Sequence, residues 1–225
     1  MVLKGVYHVR SAKVSPVTSN RVSPIFLGAA VYSVVSIIVW MLFYMFVIDI
    51  FVTLPVSVWH AHEMIFGYTM AVVAGFLLTA VMNWTNEVTL HGNGLLSLFG
   101  WWTAGRVLAF FPGTKAVQLL ALCDTVFLII ALMRPIIKTK KWKQMAVLSK
   151  VFMMLLINVC FYAAFFNNND IHTEKRILLF GVYIIVSLIL TITRRIMPFF
   201  ISRGVWTMTL SYVIQYFLIS RVFSY

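Results

Sequence analysis

Residues 25–48 read IFLGAAVYSVVSIIVWMLFYMFVI, 24 positions without a single charge. A helix crosses the hydrocarbon core of a bilayer with about 20 apolar residues, so this run predicts a membrane span. It is longer than the apolar core of a signal peptide, and no small-residue cleavage site follows it, so a retained first span is expected behind a basic tail over 1–24. The rest of the chain has the same character. Of its 225 residues, 62% are hydrophobic and 11% charged, and the mean hydropathy is +0.95. A soluble domain carries about 25% charged residues, because those residues coat its surface. This chain cannot coat a globule, and lipid must be the solvent for most of its surface. The fold class expected is therefore all-α, a polytopic transmembrane helical bundle over 25–222.

Seven stretches are apolar enough to be spans: 25–48, 61–83, 95–111, 116–137, 145–166, 176–198 and 204–222. The third is short and holds Arg106, and the seventh contains Ser211, Gln215 and Ser220, so six to seven spans are expected. Eighteen Lys and Arg against six Asp and Glu give a net charge of +12. The bases crowd the tail (Lys4, Arg10, Lys13, Arg21), the KTKKWK loop after Arg134, and Arg194, Arg195 and Arg203. Alternate loops hold few of them. That asymmetry explains the charge by orientation, with the N-terminus cytoplasmic, and not by nucleic-acid binding. Turn residues fall where the spans require them, at Pro112 and Gly113 and at Asn167, Asn168, Asn169 and Asp170. Cys123 and Cys160 lie in apolar segments without metal-ligand spacing, which predicts two buried thiols.

Chemistry concentrates in Trp59-His60-Ala61-His62-Glu63-Met64. Ionisable groups at a membrane boundary are costly, so two imidazoles and a carboxylate there need a reason. Neutral histidine commonly ligates haem iron and copper. Positions two apart differ by about 200° around a helix, so either the helix begins after His60 or the two histidines serve different sites. The residues alone leave two readings, metal or haem ligation and interfacial hydrogen bonding. From Glu63, small residues recur at Gly67, Ala71, Gly75 and Thr79, a ridge that lets another helix approach closely. Arg106 needs an anion: Glu63, Asp124, or the carboxylate of a ligand. Trp102, one turn earlier, is placed for a cation–π contact with it. Asn83 and Asn158 are expected in capping and interhelical hydrogen bonds. No phosphate loop, nucleophile triad, dinucleotide turn or HExxH occurs, so no motif assigns a reaction.

In order, these landmarks resemble the NnrS family of haem- and copper-containing membrane proteins of the nitric oxide response. The resemblance rests on Pro24-Ile-Phe-Leu-Gly28, WHAHEMIFGY (59–68), AGFLLTAVMNWT (74–85), Ala104-Gly105-Arg106, Asp124, Arg134-Pro135, Asn158 and RRIMPFF (194–200), and covers roughly 20–205. It implies a multi-pass protein of the bacterial cytoplasmic (inner) membrane, with haem and copper as cofactors and nitric oxide as a ligand. His60 and His62 become candidate metal ligands, and Arg106 and Glu63 supporting residues of the cofactor site. The chain is shortened relative to the family pattern, which continues with further helices and a motif like LGHTGR. That shortness raises the expectation of a homodimer, or of pairing with a second chain. Two other functions fit the same residues. One is a transporter or channel component, with Glu63, Arg106 and Asp124 lining a polar path; the other is a structural membrane subunit without cofactor.

Overall fold

The computed structural model describes residues 23–46, 55–108, 122–167 and 171–202, and all regular structure among them is helical. In chain order the helices are α1 (Ser23–Phe46), α2 (Val56–Thr85), α3 (Asn93–Leu108), α4 (Cys123–Thr139), α5 (Met145–Phe166, entered through one 3₁₀ turn) and α6 (Ile171–Ser202). Among the described residues, four segments are long and apolar enough to cross a membrane: Pro24–Met45, Val56–Thr85, Trp142–Phe166 and Ile171–Pro198. The expected spans 95–111 and 116–137 fall partly outside the described residues, and 204–222 and residues 1–22 fall wholly outside them. Two boundaries differ from the sequence reading. The second span begins at Val56 and not at 61, because Pro55, with no N–H to satisfy, sits well just ahead of a first turn. The sixth begins at Ile171, since Lys175 and Arg176 lower hydropathy without breaking the helix.

Helix α2 is the centre of the bundle. Of its most apolar window 61% is buried, against 22% for α1 and 17% for α6, so the outer helices are the ones that meet lipid. Leu27 of α1 and Leu190 of α6 are accordingly 65% and 64% exposed. The small-residue ridge seats α1 antiparallel on α2. A Cβ at Gly75 would come within 2.9 Å of the Phe26 ring, and one at Gly67 within 2.9 Å of Tyr32. On the other flank α6 approaches at Gly181, where a Cβ would lie 3.4 Å from Ile65. At its C-terminal end α2 stops on Asn86, which takes a left-handed conformation (φ 59°) and donates its N–H to Met82 O at 2.8 Å. The loop that follows is tied back by the Thr89 hydroxyl, which donates to Leu78 O at 2.9 Å.

Candidate functional site

The N-terminal half of α2 is not a regular α-helix. Over Glu63–Thr69 the backbone is π-helical, and the Thr69 hydroxyl donates to the carbonyl five residues back, Met64 O, at 2.8 Å. A π turn holds an extra residue, and such turns often occur at functional sites. Here His62, Glu63, Ile65, Phe66 and Gly67 are all buried, with α1, α3, α5 and α6 around them.

Glu63 is the hub. It is 1% exposed and Arg106 4%, with Arg106 Nη1 donating to Glu63 Oε2 at 2.7 Å. The Tyr32 hydroxyl of α1 donates to the same oxygen, and His62 Nδ1 lies 3.1 Å from Oε1. Three groups therefore share one buried carboxylate that would be untenable alone in an apolar interior. Gly67 completes the fit, because a Cβ there would stand 2.9 Å from Arg106 Nη1 and 3.0 Å from Glu63 Oε2. Trp102 does not cover the guanidinium as expected. Its indole N–H donates to Gly67 O at 3.0 Å, and its ring meets Tyr32 edge-on at 5.6 Å. No Arg106–Asp124 ion pair forms either. Asp124, buried in the first turn of α4, accepts from the N–H and hydroxyl of Thr125 instead.

His62 is clamped on both sides. Its ring stacks on Phe161 at 4.5 Å, and its Nε2 lies 3.0 Å from Asn158 Oδ1 across 96 residues of chain. Glu63 accepts only a proton, so Nδ1 carries one. Nε2 then either carries a second proton for Asn158 Oδ1 or accepts from an Asn158 amide turned to present its NH2. Asn158 of α5 thus meets His62 of α2 across the helix interface. Asn83 differs: it is exposed, and the cap expected there is made by Asn86. The thiols differ too, since Cys160 is exposed and Cys123 only half-buried.

His60 lives apart from this network. The helix begins before it, at Val56, and the two rings occupy different surroundings. The half-buried His60 ring stacks on Trp40 of α1 at 5.0 Å. Its Nδ1 and the indole Nε1 of Trp40 are both buried without a hydrogen-bond partner. Buried polar atoms are almost always paired, so two orphans in one place mark a site prepared for something else.

These facts bear on the implied cofactors. Among the described residues no three His, Cys, Asp or Glu stand together to hold a metal ion, so His60 and His62 do not fit a shared copper. His60, which has an uncommitted ring nitrogen beside an aromatic wall, is the residue that would hold a haem iron. His62 fits that role only if its Nε2 leaves Asn158. Tyr32 is a site residue that the sequence reading did not assign. A tyrosine in the middle of an otherwise apolar span was the available signal, because its hydroxyl must find a partner in lipid.

Comparison with known proteins adds one match. The family model described as NnrS protein matches residues 23–219 of the 225. No curated protein and no solved structure matches the chain.

Proposed function

We propose, on the premise that this chain belongs to the NnrS family, that it is a haem-binding membrane protein of the nitric oxide response, protecting against nitrosative stress. The observation that carries the reading is the orphaned Nδ1 of His60 against the orphaned indole of Trp40, one turn from the Glu63 carboxylate and its three partners. Haem, when bound, would supply an iron able to bind nitric oxide. The chain's own residues do the rest. His60 would hold the iron, and Trp40 holds the His60 ring by stacking. Glu63 fixes the Nδ1 proton of His62, while Arg106 balances the carboxylate and the apolar shell keeps water out. Copper, the family's second cofactor, needs more ligands than the described residues bring together.

In this reading the chain crosses the bacterial cytoplasmic membrane six or seven times with its N-terminus inside, and its partners are lipid, nitric oxide and a second copy or second chain. The four crossing helices and the basic loop after α4 support it. The test is an absorption spectrum of the chain purified in detergent after haem-replete expression, with metal analysis and added nitric oxide. A Soret band that shifts with nitric oxide is the expected result. A colourless, metal-free preparation would sink the proposal.

A further inference from the structure

The C-terminal ends of α2, α4 and α6 and the entry to α5 come together at one corner around Trp84. Six bases gather there, Lys138, Lys140, Lys141, Lys143, Arg194 and Arg195, against the single carboxylate of Glu87 among the described residues. Three of them build the corner. Lys138 Nζ donates to Glu87 Oε2 at 2.9 Å, and Lys141 Nζ donates to the Trp84 carbonyl at 2.6 Å. The Arg195 guanidinium lies 5.2 Å over the Trp84 ring and donates to the Gln144 side chain and the Lys143 carbonyl, which ties α6 to the start of α5. The other three are spent on nothing. The side chains of Lys140, Lys143 and Arg194 are exposed and, among the described residues, make no hydrogen bond or ion pair.

The fold therefore holds like charges close together with only one of them balanced, an arrangement that favours an anion at that spot. Its apolar neighbours say what kind of anion. Ile137, Trp142 and Met145 are interleaved with the bases and are 50%, 61% and 38% exposed. Three of the segments able to cross a membrane end or begin here, so these side chains stand at the level where acyl chains give way to headgroups. Tryptophan is the residue enriched at that depth. A water-borne polyanion would meet the bases but leave the three apolar side chains in water; a lipid covers both. We propose that this corner binds an anionic phospholipid, its phosphodiester held by Lys140, Lys143 and Arg194 and its chains lying against Ile137 and Met145. The site shares no residue with the haem reading, so the two stand or fall separately.

Native mass spectrometry of the full chain in a neutral detergent, titrated with dioleoylphosphatidylglycerol or dioleoylphosphatidylcholine, tests this. The anionic lipid is expected to bind at least about tenfold more tightly, since each base near an anionic surface adds to the attraction. The triple variant Lys140→Asn, Lys143→Gln, Arg194→Gln should bind the two lipids alike. Asparagine suits position 140, where φ is 53°. Trp142→Ala, which removes none of the bonds that build the corner, should loosen phosphatidylglycerol several-fold. Equal binding of both lipids by the unaltered chain would overturn the proposal, and so would a full preference retained in the triple variant. Displacement of phosphatidylglycerol by an equal concentration of glycerol 3-phosphate would replace the lipid with a free phosphate.

Discussion

The two ends of α2 each carry an ion pair of nearly the same length. Near the N-terminal end, Glu63 and Arg106 are 2.7 Å apart and 1% and 4% exposed; beyond the C-terminal end, Glu87 and Lys138 are 2.9 Å apart and 35% and 69% exposed. The first pair also engages Tyr32 and His62, so that α1, α2 and α3 depend on one carboxylate. The second sits among other bases, with Lys141 on the Trp84 carbonyl and Arg195 over the Trp84 ring. Distance is thus a poor guide to what a pair does. Burial decides whether losing one partner strands a charge or merely frees a side chain.

That contrast can be broken by mutation. The largest effect belongs to Glu63→Leu, which strands Arg106 in an apolar interior and should cost about 3–5 kcal/mol in equilibrium unfolding from mixed micelles. Glu63→Leu with Arg106→Met removes both charges and should be distinctly less damaging; an equal or greater loss would show that the charge is not what matters. Next comes Gly67→Ala, whose Cβ would press on Arg106, Tyr32 and Glu63, at about 1–3 kcal/mol by the same assay. Asn158→Leu should cost about 1 kcal/mol, the scale of interhelical hydrogen bonds in membranes. Lys138→Ala comes last, at about 0.5 kcal/mol or less, and that small effect should vanish in high salt. A large loss from Lys138→Ala would erase the contrast between the two ends.

Much of this was legible in the sequence, for definable reasons. Lipid tolerates no charge without a partner, so the apolar runs marked the helices and Glu63 and Arg106 announced themselves as a site. Helix geometry left two alternatives for His60 and His62, and the helix start at Val56 places their rings in different surroundings. The choice of Glu63 over Asp124 as the partner of Arg106 was not legible, because it depends on how α3 and α4 rotate against α2. Nor was the His62–Asn158 contact, which joins residues 96 apart. The π-helical stretch carries no sequence signal, yet it surrounds Glu63 and Gly67 with partners. Cys160 was misplaced because apolar surroundings in sequence mean either core or lipid, and in a membrane protein these differ only by helix rotation.

The central claim is that the paired histidines of WHAHEM have divided roles, His60 as the free ligand and His62 as part of the frame. Haem content per chain, measured for purified His60→Ala, tests it most directly. The account predicts a folded, monodisperse protein that has lost its Soret band. A His60→Ala protein with full haem content and an unshifted Soret maximum would contradict it, and would move the ligand elsewhere in the chain.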